Sequence, residues 1–334
     1  MLPKPDRSGK LKFGGEAKFL VTQTKITGPC KVLLSGASGM LGSALREALR
    51  AEGAEIVQLV RREPAHSGEM HWDGAENIRF GEKSQILEGL AGAIHLSGAN
   101  VVARRWSGEY RREIAASRVE STRALATALS GRREQPPVLL VASATGIYGD
   151  RGDEMLTEES ASGTGFLADV CRSWEAAAQP AVAAGIRVVH LRFGVVLSGG
   201  SGALGKMAPL FRMGLGGRLG SGRQWMSWIA IEDVVKAIRF LMKSPGIVGA
   251  VNLTAPNPVT NAEFTRALGR QLHRPALLPV PAFALRLAMG QMANEALLAS
   301  ARVMPKRLME AGFQFAQPTI EEALAAALGR SLGD

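Results

Sequence analysis

Short apolar runs alternate along most of the chain with stretches whose apolar residues recur every three or four positions. Residues 31–35, Lys-Val-Leu-Leu-Ser, are a brief apolar run that breaks into glycine, the pattern of a buried parallel strand. Residues 40–52 set Leu41, Ala44, Leu45, Ala48 and Leu49 on one stripe before Gly53, which predicts a helix and its stop. Residues 55–60, 93–96, 138–142 and 187–191 predict further strands, and residues 107–129 and 167–184 predict the helices before the last two. Strands alternating with helices are the sequence form of an α/β fold with a parallel doubly wound sheet.

The texture changes at Ser198. A glycine-rich stretch over 198–222, interrupted at 206–213, reads as a mobile loop over a site. A helix at 231–243 and a strand at 251–254 follow, and then a largely helical tail with helices at 261–271, 282–304 and 320–328. The predicted organisation is a flexible basic extension over 1–29, a dinucleotide-type Rossmann domain over 30–255 and a smaller helical substrate domain over 256–330.

Composition removes several alternatives. With 46% apolar residues in 334, the chain as a whole is not disordered. The net charge of +10 is concentrated in residues 1–29 and 104–134, each with a net +4. No nucleic-acid-binding motif accompanies that charge, and the 18 aromatic residues supply few stacking surfaces, so nucleic acid is not an expected partner. No apolar run approaches the ~20 residues that cross a bilayer, so no membrane partner is expected either. Cys30 and Cys171 form no disulfide framework, and five scattered histidines offer no metal-ligand spacing. A reducing, cytoplasmic location fits.

Gly36-Ala-Ser38-Gly39-Met40-Leu41-Gly42 lies between the first strand and the first helix. Glycines there let the backbone turn sharply and approach a pyrophosphate, while the helix N-terminus offers free amides and the positive end of its dipole. About 20 residues beyond, where an NAD site carries an acid on the ribose, stand Arg61 and Arg62. Guanidiniums suit a 2′-phosphate through charge-assisted bonds, so NADP(H) is preferred over NAD(H). The same two arginines also read as solvated loop charges.

From these residues the chain resembles an extended short-chain dehydrogenase/reductase, and more narrowly the "epimerase family protein" group. That group joins an NAD-dependent epimerase/dehydratase domain to a C-terminal domain of unknown function. The resemblance spans 31–328 and rests on Ser35-Gly-Ala-Ser-Gly-Met-Leu-Gly42, His95-Leu-Ser-Gly-Ala-Asn100, Ser143-Ala-Thr-Gly-Ile-Tyr-Gly-Asp150 and Gly220-Ser-Gly-Arg-Gln-Trp-Met-Ser-Trp-Ile229. It implies a Rossmann fold, adds Leu96 and Gly98 to the cofactor contacts, and is compatible with a homodimer.

The superfamily's usual chemistry needs a Tyr, a Lys four residues on and a Ser or Thr. No Tyr-x-x-x-Lys occurs: the corresponding helix positions hold Leu167 and Cys171, and the hydroxyl position holds Ala144. Met226 and Ala230 replace the Arg and His of sugar-nucleotide epimerases, which argues against a sugar nucleotide. Tyr148 as acid with Ser143 or Thr145 as donor is the alternative set, though all three also read as loop packing and turn caps. Arg118 reads as site-facing or ion-paired. Cys171 reads as a site thiol or a buried one, and Arg223, Gln224, Trp225 and Trp228 as a pocket lining or as packing. The expected function is an NADP(H)-dependent oxidoreductase or epimerase acting on a small molecule. The alternative is a non-catalytic NADP(H) sensor that regulates a protein partner, since some relatives carry a cell-division label.

Overall fold

The computed structural model describes residues 30–74 and 86–329; the extension expected over 1–29 lies outside them. The first strands are β1 (Lys31–Ser35), β2 (Glu55–Val60), β3 (Glu69–His71), β4 (Leu90–His95), β5 (Val138–Ala144) and β6 (Met155–Leu156). Next come β7 (Arg187–Phe193), β8 (Val195–Leu197), β9 (Trp225–Met226), β10 (Trp228–Ala230), β11 (Gly249–Leu253), β12 (Val259–Thr260) and β13 (Arg302–Val303). The helices are α1 (Met40–Ala51), α2 (Gly108–Ser130), α3 (Phe166–Ala176), α4 (Gln179–Ala183) and α5 (Gly202–Arg212). They continue with α6 (Ile231–Met242), α7 (Asn261–Gln271), α8 (Ala282–Met289), α9 (Lys306–Glu310) and α10 (Ile320–Leu328).

Seven strands form one sheet in the order β11-β7-β5-β4-β1-β2-β3, with every pairing parallel. Successive side chains alternate faces: Val32 and Leu34 pack toward α1 and α6, and Leu33 packs toward α2. Both faces are buried because a parallel sheet carries crossover helices on each side, which is why its strands read as apolar runs. This is the Rossmann-type α/β fold that the sequence pattern predicts. The strand order reverses at β1, flanked by β4 and β2, so the turns after β1 and β4 part there and leave a crevice.

Three expected elements differ. The helix over 167–184 is two helices, α3 and α4, because Pro180 withholds a donor and opens the second. The helix over 282–304 stops at Gly290, whose φ of 62° is outside the helical range. The stretch predicted as a mobile loop contains α5, whose Leu204, Ala208 and Phe211 are buried; its glycines flank the helix and, as Gly202 and Gly205, enter its first turn, which obscures the apolar stripe. One hydrophobic cluster joins Leu204, Phe211 and Trp228 to Phe264, Leu268, Ile320 and Leu324, so it spans the boundary expected at 255/256.

Candidate functional site

The crevice at the strand reversal opens into a cavity of about 1140 Å³. Gly36, Ser38 and Gly39 line it from the turn after β1, and Leu96, Ser97, Gly98 and Asn100 from the turn after β4. Gly36 has φ 72°, and a Cβ there would lie 2.9 Å from the Leu96 carbonyl carbon, so only glycine lets the two turns meet. A Cβ on Gly42 would fall 2.1 Å from the Gly36 oxygen, so the first turn of α1 presses directly on the loop. No side chain caps α1 and no acid occupies its first turn. Its leading amides, which have no intrahelical acceptor, are left for an anion. Met40, Leu41 and Gly42 do not line the cavity by side chain: Met40 lies toward Gly202 and Leu41 packs on the sheet core.

At the far wall the two arginines separate. Arg62 is bidentate to Glu69, at 2.6 and 2.8 Å, and also donates to the Glu63 carbonyl. The Arg62 bonds, joined by the Ala65 amide at 2.8 Å, hold the Glu69 carboxyl down at about 2. Arg61 is exposed and makes no hydrogen bond or ion pair among the described residues, yet it lines the cavity. Arg46 of α1 also lines it and donates to Gln58 at 3.2 Å. The cation–acid pair Arg62–Glu69 is internally neutralised, so the cavity-lining cations at this end without an ion-pair partner among the described residues are Arg61 and Arg46; Asp73 lines the same end. Sequence reasoning missed Arg46, Gln58, Glu69 and the wall residue Trp72. The position of Arg46 on α1 was visible, but β3, which carries Glu69, is only three residues long.

Beneath the cavity floor His95 is fully buried, with Ser35 Oγ 2.6 Å from Nδ1 and Ser121 Oγ 3.1 Å from Nε2. Ser121 spends its own proton on the Ser117 carbonyl, so His95 Nε2 donates to it and Nδ1 accepts from Ser35. Burial pushes the imidazole down to about 3. A histidine pKa lowered below its unfolded value of ~6.5 makes the unfolded state bind the extra proton between those limits, so stability falls as pH drops from 6.5 toward 3. His95→Gln is expected to flatten that dependence, by about 1.4 kcal/mol per pH unit, in urea midpoints measured from pH 7 to pH 4.5.

The three predicted catalytic hydroxyls do not line the cavity. Ser143 donates to Glu175 Oε1 at 2.7 Å. Tyr148 is fully buried, donates to Asn252 Oδ1 at 2.7 Å and accepts from Arg192 at 2.9 Å. Burial raises its pKa against the opposing pull of Arg192. Arg192 closes the network with two bonds to Glu175, at 2.8 and 2.9 Å. This polar cluster ties the carboxyl ends of β5, β7 and β11 together. Thr145 alone of the three is half-buried and makes no side-chain hydrogen bond among the described residues.

Other candidates resolve similarly. Cys171 is buried, and burial pushes its thiol up to about 11, so it stays protonated near neutral pH. Arg118 is in no ion pair among the described residues: it donates to the Ala99 and Ile114 carbonyls and lies over the Trp174 ring. A Cβ on Gly98 would come 3.3 Å from its guanidinium carbon, a tight contact with the end of a side chain. Trp228 is core, Trp225 donates to Asp153 at 2.8 Å, and Gln224 donates to the Leu219 and Leu297 carbonyls. Arg223 is exposed.

A glycine turn feeding a helix at the reversal of a parallel sheet, over a cavity of about 1140 Å³, defines an α/β protein of the dinucleotide-binding class. Within that class, the chain belongs to the NAD dependent epimerase/dehydratase family, whose model matches residues 32–253. A domain of unknown function, DUF1731, matches residues 280–327. An epimerase family protein of Mycobacterium bovis is 46% identical over 300 residues, 90% of this chain and 98% of its own. A chloroplastic homologue from Arabidopsis thaliana is 37% identical, over 88% of this chain and 86% of its own. Among solved structures, a human epimerase family protein (isoform 2) with NADPH superimposes at TM-score 0.81 and 31% identity, covering 90% of this chain and 100% of that one. A nucleoside-diphosphate sugar epimerase from Corynebacterium glutamicum gives TM-score 0.74 and 38% identity, over 92% of this chain and 60% of that one. No helix among the described residues is long and apolar enough to cross a membrane.

Proposed function

We propose that the chain binds NADP(H) in preference to NAD(H) along this cavity and acts as an oxidoreductase or epimerase on a small molecule. The observation that carries the cofactor reading is Arg61, which follows β2, lines the same cavity as the glycine turn and has no partner among the described residues. The diphosphate sits on the amides at the start of α1, while Arg61 and Arg46 face the 2′-phosphate. The human relative solved with NADPH supports the choice of cofactor. The bound nucleotide supplies or accepts hydride. Thr145, just past β5 and outside the cavity lining, is the one of the three hydroxyls with no side-chain partner among the described residues and so the candidate to orient a substrate oxygen.

A hydrogen bond to a charged group contributes about 1.5–3 kcal/mol, so Arg61→Ala is expected to weaken NADPH roughly 10- to 100-fold with NADH nearly unchanged. Calorimetric titration of both nucleotides reads this directly; equal affinities that the variant does not alter would remove the NADP preference.

A second reading has its own observation: Ser143 and Tyr148 are both consumed by the Glu175–Arg192–Asn252 network. Tyr110, which lines the cavity, donates to the Asn100 carbonyl, so no phenol among the described residues is free for proton transfer and the chain would be a sensor whose NADP(H) occupancy governs a protein partner. Tight NADPH binding with neither net NADPH consumption nor an epimerised product across a panel of carbonyl and hydroxyl compounds selects this reading; either consumption or epimerised product selects the enzyme.

A further inference from the structure

Residues 199–231 contain no Asp or Glu, and neither do residues 264–294. The fold lays these two stretches side by side: the Leu278 amide donates to Gly216 at 3.2 Å, Val280 to Arg218 at 2.9 Å, and Arg274 Nε to the Arg212 carbonyl at 3.1 Å. On the joined surface large apolar side chains stand outward, with Leu277 79%, Leu287 78%, Phe283 71% and Met213 63% exposed. Helix α8 buries none of its residues. Beside Leu277, a shallow basin of about 500 Å³ is walled by Arg266, Arg270, His273 and Arg274. The acid that reaches it, Glu321, pairs with Arg270 at 2.8 Å, while Arg266 has no ion-pair partner among the described residues.

We propose that this face docks on the surface of an anionic bilayer, with the basin taking lipid phosphate headgroups while Phe283 and Leu287 enter the acyl boundary. Apolar protrusions ringed by arginine are the composition that seats at that boundary, buried by roughly 5–10 Å. The charge selects the occupant. A second copy would set arginine against arginine, and residues 1–29, with six cationic and two acidic side chains, are repelled for the same reason. An acidic helix would suit the charge but requires a groove, whereas these side chains project. The absence of a spanning run bears on crossing a bilayer and leaves adsorption open.

The test is sedimentation of the full chain with vesicles of phosphatidylcholine alone or mixed with phosphatidylglycerol. Pelleting with the mixed vesicles only, weakened by added salt, is the expected result. Phe283→Ser with Leu287→Ser, which alters exposed positions and leaves the circular dichroism unchanged, lowers affinity tenfold or more on the scale of ~1.5–3 kcal/mol per buried side chain. Arg266→Ser lowers it roughly fivefold. Equal pelleting with both vesicles, or no loss in the double variant, overturns the proposal. So does a doubled mass by light scattering that the double variant returns to a monomer, which assigns the face to a second copy. Binding of inorganic phosphate or of a polyglutamate peptide without vesicle binding overturns it as well.

Discussion

Gly42→Ala is expected to abolish NADPH binding and to lower the melting temperature, although it adds one methyl group. That methyl would sit 2.1 Å from the Gly36 oxygen and 2.7 Å from the Ala37 Cα, both backbone atoms with no rotamer to absorb the clash. Either α1 slides back from the sheet or the glycine turn flattens; both displace the amides proposed to hold the diphosphate. Overpacking of this kind costs about 3 kcal/mol, and at about 2–4 °C per kcal/mol the melt falls by roughly 6–12 °C. Gly108→Ala is the control. It begins α2 with nothing within 4 Å of the new methyl, so it keeps full affinity and gains up to about 1 kcal/mol from helix propensity. Thermal melts with parallel NADPH titrations check both. A Gly42→Ala protein that melts early but binds NADPH normally would show that the turn does not cradle the nucleotide.

The glycine-turn half of the candidate site was legible because its determinants are local. A strand, a glycine turn and a striped helix occupy consecutive residues 31–52, and the backbone geometry they impose shapes that wall of the cavity. The ends of that reading were less secure for a physical reason. Arg61 and Arg62 are adjacent in sequence, and only the fold brings Glu69 from a three-residue strand onto one of them. The hydroxyls were harder still. Ser143, Thr145 and Tyr148 follow a buried strand, as catalytic groups do, but the partners that consume two of them are Glu175 on α3, Arg192 on β7 and Asn252 on β11. Nothing in the spacing of those residues announces their meeting, which is created by strand order. The exposure of α8 was not legible in the sequence: its apolar residues fit a helix, and apolar helices are ordinarily covered.

Arg192→Met is expected to be the most destabilising single change outside the glycine turn. It leaves Glu175 with 14% of its side chain exposed and no countercharge, and removing one partner of a buried pair costs about 3–5 kcal/mol. Burial works against the charge on both groups, yet their mutual bonds hold Glu175 below the ordinary carboxylate range and Arg192 above the ordinary guanidinium range. The pair therefore offsets its own desolvation, and the double variant Arg192→Met with Glu175→Leu is expected to recover most of the loss. Ser143 and Tyr148 lose a partner in that variant, so recovery stays incomplete by about 1–3 kcal/mol for each group left unsatisfied. The pH profile separates this cluster from His95. Glu175 titrates lower when folded than when unfolded, so its contribution is complete above the unfolded value of ~4.3 and is lost as pH falls through the folded one. The His95 contribution is already declining from pH 6.5. Urea midpoints of wild type and double variant should thus run parallel from pH 7 to 5 and converge below about 4. Profiles that stay parallel into acid would mean that the Glu175–Arg192 pair does not anchor the carboxyl edge of the sheet.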